Sequence, residues 1–243
     1  LLACDRFGEG RMVETAFIQL AIESAFIQTM KNGYLKRDLK GKTVLVTAGP
    51  TTEAIDPARL ITNRSSGRMG VLLAQAAHLR GANVDLIYGP LQTPQSWLEG
   101  LNKHPICSAK EMQANLETLQ AHADLIAMTA AVADLRKKAG GQKKKLTKES
   151  LAQSIGNDWE EVPDLLTEIV NRRKAGQSIL GFAALTGDDA EIIKKGKRKK
   201  ENKGCDLLMA NPIDRPNQGF EGNQNGGFLF GPEDRVQILP IKS

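Results

Sequence analysis

"TVLVT" (Thr43–Thr47) runs straight into "AGPTTEAIDPARLITNRSSGRMG" (Ala48–Gly70), and this junction decides how the rest of the chain is read. The first five residues form a short β-branched apolar run of the kind buried on both faces of a parallel sheet. A long polar loop follows, where a tight turn into a helix would be the ordinary outcome. Beyond Gly67 the apolar positions Met69, Val71, Leu72, Ala74, Ala76 and Leu79 recur at helical spacing, and Gly81 closes the helix. Gly67 and Gly70 allow close backbone approach. Free amides at that helix start, with the Ser65 and Ser66 hydroxyls, would make an anion site.

Outward from this point, strands and helices alternate. Val84–Tyr88, Asp124–Met128, Ile179–Ala183 and Asp206–Ala210 read as strands. Ser108 with Glu111 is a capping box that opens a helix running to about His122. Pro163–Ala175 reads as a helix with proline at its first position and Gly176 after its end, and another helix covers roughly 188–203. Gly227–Ile241 is different, two strand-like runs around "GPED" that predict a hairpin. Near the front, residues 12–34 carry a broad apolar helical face ended by Asn32-Gly33, and "KRDLKGK" (36–42) reads as a linker. The pattern predicts an α/β fold: a doubly wound, mainly parallel sheet in three layers, Rossmann-like, with a C-terminal β-hairpin extension. Ligands of such sheets bind past the carboxyl ends of the strands, so the informative loops are 48–66, 129–150, 184–187 and 211–226.

Composition narrows the function classes. The length of 243 residues suits one large α/β domain, or one domain with an appendage. No apolar run approaches the roughly 20 residues of a membrane span, and no signal segment opens the chain. Cys4, Cys107 and Cys205 are odd in number and far apart, which predicts no disulfide framework and a reducing, cytoplasmic setting. The net charge of +5 is local in origin. Residues 136–148 and 194–203 each carry seven basic groups, with one acid between them, and the remainder of the chain is net acidic. Local positive charge on an acidic body suits a polyphosphate better than general adhesion to nucleic acid. Neither basic run has aromatics interleaved for base stacking, which counts against a nucleic-acid module. No GxGxxG or GxxxxGK[ST] is present, which counts against a nucleotide-cofactor oxidoreductase on the same scaffold. His78, His104 and His122 have no Cys/His partners at zinc spacing.

The stretch "VTAGPTTEAIDPARLITNRSSGRMG" closely resembles the signature of phosphopantothenoylcysteine synthetase, the CTP-dependent ligase of coenzyme A biosynthesis. The resemblance continues in the same order through "TAAVADLR" (129–136), "VPDLL" (162–166), "LGFAA" (180–184), "KKENKGCDLLMAN" (199–211) and "FLFGPEDRVQILP". Residues 1–14 resemble the last active-site segment of the flavin-dependent decarboxylase to which this ligase is usually fused, with Cys4 at the decarboxylase cysteine. The implied division is a decarboxylase tail plus helix over 1–35, a linker over 36–42 and the ligase domain over 43–243. Neither flavin nor decarboxylation is expected of this chain.

The resemblance also implies roles. Asn63 corresponds to the asparagine that acts on the acyl-cytidylate, and Arg59 to an arginine that helps the second half-reaction. Gly49, Ser65, Ser66 and Gly67 would hold nucleotide phosphate. Asp134 matches a nucleotide-binding aspartate, whose carboxylate can accept from the exocyclic amine that cytosine has and uracil lacks. Met128, Thr129, Ala130 and Ala131 would read the base edge with backbone groups. Lys145 best matches the triphosphate lysine, although the alignment also admits Lys144 or Lys143. Lys199 and Lys203 match a second nucleotide-binding pair, and Pro163, Asp164, Leu165, Leu166 and Phe182 match further nucleotide contacts. Leu185 departs from the family, which has an acid there. Mg²⁺ is expected with the triphosphate, with no metal ligand named, because no dedicated acidic cluster is present. The implied partners are 4′-phosphopantothenate, cysteine and CTP, with ATP an alternative in some relatives. A homodimer is implied too, with the hairpin end (227–241) a candidate contact and no role for nucleic acid or membrane.

Overall fold

The computed structural model describes residues 18–23, 37–154, 158–216, 218–219 and 224–242. Its central strand, β1 (Thr43–Ala48), is buried from Val44 onward because it has a parallel neighbour on each side: β4 (Asn83–Tyr88) and β6 (Leu125–Met128). Outside β4 lies β5 (Asn102–Pro105), and outside β6 lie β9 (Ser178–Leu185) and β10 (Leu207–Pro212), all parallel. The antiparallel strands β11 (Asn225–Phe230) and β12 (Val236–Lys242) then extend the β10 edge. The sheet order is β12-β11-β10-β9-β6-β1-β4-β5. Among the six parallel strands this places the first in chain order beside the second on one side and the fourth on the other. That is the Rossmann arrangement, with its switch point between β1 and β6.

Successive residues of a strand face opposite sides of the sheet, and two cores result. Val44, Val46 and Ala48 pack with Val71, Ala74 and Ala77 of helix α1 (Arg68–Leu79) and with Trp97 and Leu98. Leu45 instead joins Met112 and Leu116 of α2 (Ala109–Leu119), Ile169 of α4 (Leu165–Asn171) and Ile192 of α5 (Asp189–Lys203). A short helix, α3 (Lys148–Ser154), precedes α4 in the chain. Fully burying each Ile or Leu contributes roughly 1.5–3 kcal/mol, so the alternation in β1 alone fixes which face each helix covers.

The helix starts show where local chemistry decided the boundary. Ser108 Oγ accepts from the Glu111 amide at 3.2 Å, while the Glu111 carboxylate accepts from Cys107 N at 2.7 Å. The helix expected from Pro163 begins instead at Leu165. Asp164 is its cap, accepting from Thr167 N at 3.1 Å, and Pro163 lies one residue before the cap. That helix ends at Asn171, short of Ala175, because Arg172 already leaves helical geometry. Residues 37–42, read as a linker, form a turn pinned to the end of α1: Leu39 N donates to Arg80 O at 3.1 Å, and Arg80 pairs with Asp38. Of the helix expected over 12–34, residues 18–23 are helical; the remainder lies outside the described residues, as does Cys4.

The segment 48–66, expected as a plain polar loop, contains an antiparallel hairpin, β2 (Thr52–Asp56) with β3 (Arg59–Thr62). Asp56-Pro57 turns it, with Asp56 Oδ1 accepting from Ala58 N at 2.9 Å. Similarly, 129–150 is not all loop: β7 (Leu135–Lys137) pairs with β8 (Trp159–Glu161). The basic stretch between them is tied to the hairpin at two places. Gln142 N donates to Ile55 O at 2.9 Å. Four residues on, Leu146 N donates to Asp56 Oδ2 at 3.1 Å, and Arg59 Nη2 donates to Leu146 O at 2.8 Å. Lys143, Lys144 and Lys145 stand exposed between these tethers.

Two outcomes are expected from this architecture. A Cβ at Gly70 would sit 2.6 Å from Ala48 Cβ and also collide with the Thr129 hydroxyl. Gly70→Ala should therefore cost about 1–3 kcal/mol as overpacking, read as an earlier urea midpoint at unchanged slope. The Arg59 guanidinium, helped by the Ala58 and Leu146 amides, holds the Asp56 carboxyl well below the usual carboxylate range against the opposing effect of burial. A depressed folded-state value means that the unfolded chain binds the extra proton. The stabilisation is therefore complete above the ordinary carboxylate value of about 3.9 and is lost as pH falls toward the folded value. Urea denaturation of wild type and Asp56→Asn should show the larger gap at pH 7 and a smaller one at pH 3.

Candidate functional site

At the switch point the chain continues to hydrogen-bond past the ends of the strands. Ala131 N donates to Gly49 O at 2.9 Å and Thr51 N to Ala131 O at 3.2 Å. Two buried hydroxyls extend the seam: Ala130 N donates to Thr47 Oγ1 at 3.2 Å and Ala133 N to Thr51 Oγ1 at 2.9 Å. Thr129 Oγ1 in turn donates to Thr47 O. The loops after β1 and β6 thus form one continuous wall.

Beside this wall opens a cleft of about 600 Å³ over the carboxyl ends of the parallel strands. It brings together most of what the sequence singled out. Asn63, Ser65, Ser66 and Gly67 line it from the segment before α1; Thr129, Ala130, Ala131 and Asp134 line it from the loop after β6. Phe182 of β9 and Lys199 of α5 complete the set. Arg68 also lines the cleft, its guanidinium carbon 5.4 Å from the Trp97 ring centroid. Such stacking holds the cation in place without an acidic partner.

Asn63 is fixed by two carbonyls. Its Nδ2 donates to Ala131 O at 3.2 Å and to Val132 O at 2.9 Å. Carbonyls only accept, so the amide orientation is set and the oxygen is left for other partners. The helix start is less open than expected. Ser65 Oγ accepts from Gly67 N at 3.3 Å and Ser66 Oγ from Arg68 N at 3.4 Å, both long, and α1 has no side-chain cap bond. Gly67, at φ 76°, lies against Gly49, where a Cβ would come within 3.1 Å of Gly49 N. Only glycine seats the helix so close to the strand end.

Other expected residues stand elsewhere. Arg59 holds Asp56 and Leu146 O and does not line the cleft. Lys145, with Lys143 and Lys144, is exposed on the tethered loop outside the cleft lining. Lys203 pairs with Asp164, joining the end of α5 to the start of α4, so only Lys199 of the expected pair reaches the cleft. Leu165 is buried core, Leu166 packs against that core, and Met128 is buried in it. Gly49 supports the wall from beneath, and Pro163 precedes the α4 cap.

Three residues of consequence escape sequence reasoning. Asp56 anchors the basic loop, while Asn211 at the end of β10 and Asn225 at the start of β11 both line the cleft. For Asn211 a signal exists: it directly follows the apolar run "LLMA", the place where a doubly wound sheet presents ligand contacts. Among the described residues the cleft lining has two cations, Arg68 and Lys199, and one carboxylate, Asp134. That balance favours an anionic ligand. Among the described residues no group of three or more His, Cys, Asp or Glu could hold a metal ion. No helix among the described residues is long and apolar enough to cross a membrane.

The geometry agrees with comparisons to known proteins. The model of the DNA/pantothenate metabolism flavoprotein C-terminal domain matches residues 39–243. The coenzyme A biosynthesis bifunctional protein CoaBC of Vibrio vulnificus strain YJ016 is 37% identical over 242 residues, 99% of this chain and 56% of that protein. The Bacillus subtilis CoaBC is 35% identical over 243 residues, again 56% of its length, so the chain spans a little over half of these relatives. A crystal structure of the C-terminal domain of CoaBC superposes with a TM-score of 0.67 at 28% identity, covering 85% of this chain and 90% of that one. The chain therefore belongs to the DNA/pantothenate metabolism flavoprotein C-terminal domain family.

Proposed function

We propose that this domain joins 4′-phosphopantothenate to cysteine through an acyl-cytidylate, as the CTP-dependent ligase step of coenzyme A biosynthesis. The observation that carries the reading is the placement of Asn63, held by two backbone carbonyls at the wall of a cleft that also collects Ser65, Ser66, Asp134 and Lys199. The reaction has two displacements. A carboxylate oxygen of the acid attacks the α-phosphorus of CTP, forming the acyl-cytidylate and expelling pyrophosphate. The cysteine amine then attacks the acyl carbon, loses a proton, and CMP departs with the former carboxylate oxygen. Activation is required because a carboxylate offers no adequate leaving group.

Within this reading the cations divide the triphosphate. Lys199 and Arg68 face the cleft, and the exposed Lys143–Lys145 loop closes over the β- and γ-phosphates, excluding water. Mg²⁺ enters with the nucleotide as part of the substrate. Asp134 and the 128–131 backbone read the base, and Phe182 offers it an apolar face. Arg59 supports the second half-reaction through the loop that it ties to the hairpin. The active form in this proposal is a cytoplasmic homodimer, joined to a decarboxylase domain in the longer protein.

The test supplies 4′-phosphopantothenate, cysteine, Mg²⁺ and either CTP or ATP, and follows pyrophosphate, CMP or AMP, and the new amide. CTP should release one pyrophosphate per amide, faster than ATP. Asn63→Asp should still bind CTP, with turnover reduced by about 10²–10³, the usual effect of losing one donor to a developing oxyanion. Full turnover by that variant removes the role given to Asn63, and no pyrophosphate from wild type removes the reading itself.

A further inference from the structure

Asn211 Oδ1 is buried and accepts no hydrogen bond among the described residues. It is the one such unpaired side-chain atom belonging to a residue of the cleft lining. Buried acceptors without partners are rare and expensive, and one at a ligand site asks what completes it. The direction in which this amide points can be deduced from its neighbours. Asn225 Oδ1 accepts from the Gly226 backbone N–H at 3.0 Å and from Asn211 Nδ2 at 2.8 Å. A backbone N–H can only donate, so the Asn225 atom that it meets is oxygen. The Asn211 atom that meets this oxygen is therefore nitrogen, and the Asn211 oxygen turns away. Flipping either amide would set donor against donor or acceptor against acceptor.

We propose that Asn225 is a positioning residue: it commits Asn211 to presenting an acceptor on the β10 wall of the cleft, and an N–H or O–H donor of a nucleoside completes that acceptor. This inference rests on the ligase reading for the presence of a nucleotide. Phe182 lies on the neighbouring strand, paired in register with Met209, two residues before Asn211, and lines the same cleft. An aromatic face beside one oriented acceptor suits a flat heterocycle or its sugar with a donor at the edge. Asn225 belongs to the antiparallel extension, so β11, besides covering the sheet edge, sets the polarity of the site.

Calorimetric titration of CTP with Mg²⁺ into wild type, Asn225→Leu and Asn225→Asp tests this. Leucine cannot accept, so Asn211 is free to turn; affinity should fall about tenfold, the usual net worth of one hydrogen bond. Leucine has nearly the branched shape of asparagine, so a purely steric role for Asn225 would leave its variant close to wild type, whereas aspartate still accepts from both Gly226 N and Asn211 Nδ2 and should recover most of the loss. Asn225→Ala gives the same comparison should the leucine variant fail to fold. UTP and 2′-deoxy-CTP locate the donor. A leucine penalty that vanishes with UTP assigns it to the base amine; one that vanishes with 2′-deoxy-CTP assigns it to the sugar. Folded Asn225→Leu or Asn225→Ala protein binding CTP within twofold of wild type overturns the inference and leaves the ligase reading standing. An aspartate variant as weak as the leucine one also overturns it. Wild type that binds no nucleoside triphosphate overturns both.

Discussion

The site depends on the hydrogen-bonded seam between residues 49–51 and 130–133. Where a doubly wound sheet switches direction, the two central loops diverge and leave a crevice lined with backbone groups that have lost their strand partners. Here those groups find each other. Each such bond contributes only about 0.5–1.5 kcal/mol net, but leaving the same groups buried and unpaired would cost more. Thr47 and Thr51, both fully buried, are tolerated in the core because each hydroxyl is used by the seam. Ala131 and Val132 then offer their carbonyls to Asn63 from a wall that cannot easily move.

The seam also explains why a hairpin is needed after β1. A simple loop from Thr51 to Ser65 would have to order its own polar backbone at the mouth of the cleft. Pairing β2 with β3 satisfies that backbone internally and projects a turn whose Asp56 and Arg59 capture the lysine-bearing loop. The basic runs consequently separate into two kinds of charge. Arg136 pairs with Glu160 and Lys203 with Asp164, and both serve the fold. Lys143, Lys144, Lys145 and Lys199 are left for solvent or the cleft. Exposed pairs contribute little to stability, so the value of the first group lies in where it directs the second.

The alternation was legible where a parallel strand is a short apolar run or a helix carries a readable cap, as at Ser108 and Asp188, whereas the edge strand β5 is the polar segment NKHP and left no such signal. The loop positions followed from that alternation; Ser65 and Ser66 stood out there as hydroxyls before a helix start, while Asn63 and Asp134 were singled out by the family resemblance. The hairpin was not legible. Its strands are four and five residues long, bear Glu53 and Asp56 as buried groups, and pair only with each other. The partners that make those acids tolerable are the Ala109 amide, 56 positions away, and Leu146, 90 positions away. No local pattern encodes such distances. Arg59 entered through the family resemblance, and its hydrogen bonds to Asp56 and to Leu146, 87 positions away, were beyond any local pattern for the same reason.

The orientation of Asn63 bears on how it could act. Both hydrogens of its Nδ2 point at neutral carbonyls, so its amide oxygen is what the resting cleft offers. To donate to a reacting oxygen it must give up Ala131 or Val132. Exchanging one neutral carbonyl for another gains nothing, so a ground-state acyl group would not draw it away. Exchange for an oxygen that has become anionic is different, because charge-assisted hydrogen bonds are roughly twice as strong. An asparagine held in this way therefore favours the charge-bearing state over the bound substrate, which is the differential that accelerates a chemical step. The two carbonyls would thus make Asn63 selective as well as hold it in place.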